Sequence, residues 1–191
     1  QNSIIDEIVI PGDRLVIITF YGKAETLYAG TVGSAADRVI DMVASIQADG
    51  RFTDIGNALD TLKQALAHRT NTDRRTYLLL ITDGKQEAPP GSKYYSTEVA
   101  FNHEFLENAK EIRMEGWKVH ILGVGTESAA EEIADQLSAT YTEVSEEPTE
   151  EEIEEQTKEL LGMIKIEGDI DVRPIGADGS SALVFELESM G

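Results

Sequence analysis

The chain has 191 residues and no cysteine, with 36 acidic against 16 basic side chains for a formal charge of −20. Lack of thiols excludes a disulfide framework, a thiolate zinc site and a cysteine nucleophile. The surplus of carboxylates argues against nucleic acid as a partner, since phosphates are bound through lysine and arginine. With 41% hydrophobic residues the composition is that of a folded globular protein, one full domain and a remainder, and no apolar run approaches the roughly 20 residues that span a bilayer, so no membrane insertion is expected.

In chain order, Gln1 to Ile10 carries neither an initiator methionine nor the basic start of a signal peptide, so the chain reads as an excised or processed piece. Arg14 to Tyr21 is continuously apolar and suits a strand buried on both faces, as in a parallel sheet covered by helices. Ala35, Val39, Met42, Val43 and Ile46 keep helical spacing, and Ile55, Leu59, Leu62 and Leu66 repeat it in a helix from Asp54 to Ala67. A second buried strand is expected over Tyr77 to Thr82. A helix follows from about Thr97 to Glu115, striped by Phe101, Phe105, Ala109 and Ile112, then a third strand over Lys118 to Val124 and a helix over Ala129 to Leu137. Strands alternating with helices of this length indicate an α/β fold, a doubly wound and mostly parallel Rossmann-like sheet, over residues 1–145.

Residues 146–164 are acidic, and Pro148 to Met163 reads as a surface helix opened by a capping box of Thr149 and Glu152. Over 165–191, Ile166 to Val172 and Ala182 to Leu187 alternate in polarity and are separated by Pro174, Gly176, Asp178 and Gly179. They read as a short β-rich extension, the start of a second module, or as strands that pair elsewhere.

Open α/β sheets bind ligands at the carboxyl ends of their strands. Two polar residues fall there. Asp83 follows the strand ending at Thr82 and precedes Gly84, and Thr53 stands before the helix that starts near Asp54. Hydroxyl and carboxylate are hard oxygen donors suited to magnesium, calcium or manganese. Each also has an ordinary reading, threonine as a helix cap and aspartate as a turn former.

The stretches Phe52 to Leu59, Leu79 to Gly84 and Val119 to Gly125 together resemble the von Willebrand factor type A (VWA) domain, over about residues 4–145. The resemblance implies a non-enzymatic protein-binding domain for adhesion or scaffolding. In that family a metal-ion-dependent adhesion site holds a divalent cation, magnesium or else calcium or manganese, which docks a protein ligand through an acidic side chain. Thr53 and Asp83 match two of its metal ligands, and Asp54 is a candidate to support them. The family's Asp-x-Ser-x-Ser segment, at the end of its first strand, is missing; Ile4, Ile5, Ile8 and Val9 fit the last turns of the helix that follows it. The expectation is an N-terminally truncated domain, strained where a central strand is lost, with weak or no metal binding. Replacement of that strand by the tail around Leu183 to Met190 is not expected, because Glu186 and Glu188 do not reproduce the motif.

The alternative class is a metal-assisted hydrolase or phosphoryl-transfer enzyme using Asp83, with only Glu87 or Glu98 as a nearby base. A purely structural module with a degenerate site is the plainest reading. Gly123 and Gly125 open a dinucleotide-like fingerprint, but Ser128 replaces its third glycine. His68, His103 and His120 are too scattered for a metal cluster, and His120 and Trp117 read as packing residues. The loop Lys85 to Ser96, with Tyr94 and Tyr95, is a candidate recognition element. By resemblance, an extracytoplasmic location, periplasmic or cell-surface, is favoured.

Overall fold

The computed structural model describes residues 14–31, 42, 50–67, 75–125, 129–145, 149 and 181–187. Strand β1 (Arg14–Phe20) is buried along nearly its whole length, as its unbroken apolar run requires. A tight turn, with the Tyr21 amide donating to the Lys23 carbonyl at 2.9 Å, folds β2 (Ala24–Thr31) back against it. Then come α1 (Ile55–Leu66), β3 (Arg75–Thr82), α2 (His103–Met114), β4 (Lys118–Val124), α3 (Ala129–Leu137), β5 (Thr140–Val144) and β6 (Ser181–Leu187).

The six strands among the described residues form one sheet in the order β2-β1-β6-β3-β4-β5. β3 pairs in parallel with β4, and β4 with β5. β2 and β6 run against their neighbours, so β1, β3, β4 and β5 share one direction and end at one rim. Successive strand residues face opposite sides. Val16, Ile18, Phe20, Leu78, Leu80, Val119 and Ile121 join the buried residues of α1, α2 and α3 in one apolar cluster. Leu15, Ile17 and Leu79, of the opposite parity, are buried as well, as a sheet covered on both faces demands. The chain thus has the α/β, Rossmann-like architecture expected from its alternating pattern.

Three features differ from expectation. The helix expected from Thr97 starts at His103, because two side chains capture the preceding backbone. The Ser96 hydroxyl accepts from the amides of Glu98 and Val99, and the Asn102 carbonyl oxygen caps the amide of Phe105 at 3.0 Å. β2 and β5 were not foreseen; both are half-exposed edge strands without a continuous apolar run. The third difference is β6.

Segment 181–187 neither opens a separate β-rich module nor stays out of the central slot; it is the alternative in which the tail pairs elsewhere. It lies between β1 and β3, matched with β1 from Arg14↔Glu186 to Thr19↔Ser181 and with β3 from Arg75↔Leu187 to Ile81↔Ser181. The expectation against strand replacement, and the strain of two unpaired inner edges, are therefore corrected. The physical reason is backbone pairing: β1 and β3 each present an edge of N–H and C=O groups that must be satisfied. Any extended segment with free backbone groups satisfies them, whatever its side chains spell. Because β6 enters antiparallel, Ser181 is the residue placed at the rim, and Glu186 sits at the far end opposite Arg14 and Thr76. The helices expected around Ala35 to Ile46 and Pro148 to Met163, the turns at Ile4 to Val9 and the strand Ile166 to Val172 lie outside the described residues.

Candidate functional site

The rim is assembled by backbone bonds between three segments. After β1, the Tyr21 carbonyl accepts from the Asp54 amide at 2.8 Å. Thr53 and Glu87 then exchange both backbone hydrogen bonds, Thr53 amide to Glu87 carbonyl at 2.9 Å and Glu87 amide to Thr53 carbonyl at 2.8 Å. After β3, the Gly84 amide donates to the Thr82 hydroxyl at 3.3 Å, which fixes the turn that carries Asp83.

These bonds set Thr53 beside the turn that carries Asp83. A Cβ built on Gly84 would stand 3.5 Å from the Thr53 hydroxyl, so that hydroxyl lies against the residue that follows Asp83. Asp83 is exposed and Thr53 is half-buried. Thr53 is free for such a position because it is not the helix cap. That role belongs to Asp54, whose Oδ1 accepts from the Asn57 amide at 3.1 Å.

Asp54 is completely buried and its carboxylate is occupied: beyond the cap it accepts from Gln86 Nε2 at 3.4 Å and from the Ser92 hydroxyl at 2.6 Å. Gln86, itself buried, accepts from the Gly56 amide at 3.2 Å through its Oε1. A buried carboxylate needs this many donors to remain stable. Asp54 therefore ties the loop after β3 to the start of α1.

In the sequence Glu87 stands out only as a base for the enzyme alternative. Its bridge with Thr53 puts the two side chains on one face, roughly 5 Å apart at Cβ. The signal in the sequence is slight, because nothing there shows that residue 87 folds back onto residue 53. Among the described residues no three His, Cys, Asp or Glu side chains are gathered as a metal cluster.

Behind the rim a polar clasp fastens the loop Lys85 to Ser96 to α1 and α2. Asp60 Oδ2 accepts from the Tyr94 hydroxyl at 2.8 Å and from Lys93 Nζ at 2.7 Å, and Oδ1 lies 3.3 Å from Lys63 Nζ. Asn108 donates from α2 to the Gly56 carbonyl at 3.1 Å and to Asp60 Oδ1 at 3.2 Å. Burial alone would raise the Asp60 carboxyl, but the hydrogen bonds from Lys93 and Tyr94 and the two lysine charges outweigh it and hold the group below its ordinary value. Burial, then the bond to Asp60, push the Tyr94 phenol well above its ordinary value. Gly56 is obligatory here: a Cβ would stand 2.4 Å from the Tyr94 ring. His120 faces Thr140 across β4 and β5, its Nδ1 2.7 Å from the Thr140 hydroxyl, and burial pushes it down to about 4. Trp117 packs against the apolar cluster.

Residues 2–86 match the family model described as von Willebrand factor type A domain. A crystal structure of the SpRpn10 VWA domain superposes with a TM-score of 0.51 at 14% identity, covering 76% of this chain and 70% of that one, which shows a shared fold. A protein of Treponema pallidum (strain Nichols), described as uncharacterized, is 35% identical over 119 residues, 61% of this chain and 53% of that protein. The chain thus spans about half the length of this relative. The match over residues 2–86 and the shared fold support a von Willebrand factor type A domain in this chain. The match to this family supports a general role in protein interaction or scaffolding. Among the described residues no helix is long and apolar enough to cross a membrane.

Proposed function

We propose that the domain is a non-enzymatic protein-binding module whose docking point is the rim carrying Thr53 and Asp83, where a magnesium, calcium or manganese ion joins the chain to a carboxylate on its protein ligand. The observation that carries this reading is the approach of the Thr53 hydroxyl to Gly84, beside an exposed Asp83. The oxygen donors suit a hard cation, and Glu87 adds a carboxylate on the same face as Thr53. Three protein oxygens fall short of the six to eight that such ions take, so water and the partner's carboxylate complete the shell and the chain alone binds weakly.

The test is a magnesium titration followed by the amide resonances of Thr53 and Asp83 to Glu87. An affinity on the order of 1 mM or weaker, lost in Asp83→Ala and reduced in Thr53→Val and Glu87→Gln, is expected. Shifts absent from these amides, or unchanged in Asp83→Ala, refute the cation site. Adding a peptide with a single aspartate should tighten magnesium binding, and its failure to do so refutes the docking step.

A further inference from the structure

We infer, on the cation reading above, that Arg51 and Lys85 are specificity-determining residues of the same rim, and that they select a protein segment whose docked carboxylate is flanked on both sides by further acidic residues. In a chain that carries −20, positive side chains are scarce and most of them are spent internally. Among the described residues, Lys23 pairs with Glu25, Lys63 with Asp60 and Glu111, Lys93 with Asp60 and Lys110 with Glu107. Arg14 and Arg113 donate to the carbonyls of Ala65 and Gln136. The side chains of Arg51, Lys85 and Lys118 are exposed and make no ion pair or hydrogen bond among the described residues. Lys118 opens β4, at the end of the sheet away from the rim. The other two stand at the rim itself, Arg51 two positions before Thr53 and Lys85 two positions after Asp83.

Covalent geometry and one contact bound how far from the site they can be. The Thr53 hydroxyl lies 3.5 Å from the Cβ position of Gly84, the residue bonded to Lys85, and Arg51 is joined to Thr53 through Phe52 alone. With about 3.8 Å between successive Cα atoms, both α-carbons fall within about 10 Å of that hydroxyl. The two segments are held to each other by the paired backbone bonds of Thr53 and Glu87, at 2.9 and 2.8 Å. Attraction through water reaches about 8 Å at physiological salt. Both side chains are long and unpaired, so their charges bear on whatever sits on the cation.

The charge left over names the ligand. A divalent ion cancels the carboxylates of Asp83 and Glu87, and Arg51 and Lys85 then remain as two uncompensated positive charges. A ligand with one carboxylate answers only one of them. A segment with an acidic residue on each side of the docked carboxylate answers both, since Arg51 enters from the segment before α1 and Lys85 from the turn after β3. Such complementarity chiefly sets specificity and the rate of encounter. It matters here because the field of a chain carrying −20 otherwise repels an acidic partner.

The test uses the full chain and two labelled peptides, one with a single aspartate and one with that aspartate flanked by a glutamate on each side. Each is measured with magnesium and with a chelator. With magnesium the three-acid peptide should bind about tenfold more tightly, and about 1 M salt, where the screening length shrinks to about 3 Å, should erase the difference. Arg51→Gln with Lys85→Gln should erase it too, while Lys118→Gln should leave it unchanged. The same double variant should bind magnesium itself about twofold more tightly, because two repelling charges are gone. Residues that merely supported the fold would weaken both ligands together, and weaker magnesium binding in the double variant overturns the proposal. So does an equal effect of Lys118→Gln, or polyuridylate bound as tightly as the three-acid peptide. If magnesium strengthens both peptides alike, the cation site stands and the roles of Arg51 and Lys85 fall. If magnesium changes neither peptide while the preference and its loss in the double variant persist, the cation site falls and those roles stand. All three substituted positions are exposed, so the variants keep the fold.

Discussion

Val184 lies at the middle of β6, opposite Val16 of β1 and Leu78 of β3. A strand with a neighbour on each side has no idle amide, so the Val184 N–H belongs to one ladder or the other. Val184→Pro deletes that donor and leaves a carbonyl on β1 or β3 without its partner inside the sheet. The lost hydrogen bond is worth about 1 kcal/mol net and the orphaned acceptor a further 1 to 3 kcal/mol, so a cost of roughly 2 to 4 kcal/mol is expected. Against a total stability on the order of 10 kcal/mol, and at about 2 to 4 °C per kcal/mol for a chain of this size, Tm should fall by roughly 5 to 15 °C. Val184→Thr keeps the donor and should fall by far less. Hydrogen exchange locates the effect: the amides around Val16 and Leu78 should lose protection, while those of the β4 and β5 ladder, Ile121 to Val124, should not. A proline variant with unchanged Tm and unchanged protection at Val16 and Leu78 would show that β6 is not in the slot.

Gly56→Ala gains roughly 1 kcal/mol of helix propensity but forces a methyl to 2.4 Å from the Tyr94 ring, so a net loss of about 1 to 2 kcal/mol is expected by denaturant titration. Tyr94→Ala should cost less in that background than alone; strict additivity would refute the contact. Asp54→Ala removes the cap of α1 and strands the hydrogen-bonding groups of Gln86 and Ser92, for an expected loss of about 3 kcal/mol, whereas a loss under about 1 kcal/mol would show that the carboxylate is not the hub described. His120 binds a proton in the unfolded chain below about 6.5 and in the fold only below about 4, so stability should fall as pH drops through that window, by roughly 3 kcal/mol. His120→Gln should flatten this fall; an unchanged slope refutes it. Asp60, held below its ordinary value of 3.8, gives stability that is present above that pH and is lost only under more acid conditions.

The sheet was legible where burial on both faces imposes unbroken apolar runs, as at Arg14 to Phe20 and Lys118 to Val124, because no other role for such a run competes. Edge strands escape the same reading: Ala24 to Thr31 needs only one dry face and a neighbour, and its pattern of exposure is irregular. Helix starts were legible to the extent that side-chain capping is local. Asp54 could be confused with Thr53 because both can cap, and only the coordinates show which oxygen reaches the Asn57 amide. That outcome bears on function, since the residue that caps is occupied and the one that does not is left beside Asp83.

Long-range pairing is where sequence reasoning stopped. The bond between Thr53 and Glu87 joins residues 34 positions apart through backbone atoms alone, and the matching of Ser181 with Ile81 spans 100 positions in the same way. Backbone ladders carry no residue code, so a strand slot selects an extended segment by availability and leaves the choice of side chains open. The tail lacks an Asp-x-Ser-x-Ser motif, but the slot between β1 and β3 requires only an extended strand. Chemistry at the rim is therefore separable from integrity of the sheet: β6 can satisfy β1 and β3 throughout while the oxygen donors at the rim remain those carried by the segment before α1 and the turn after β3.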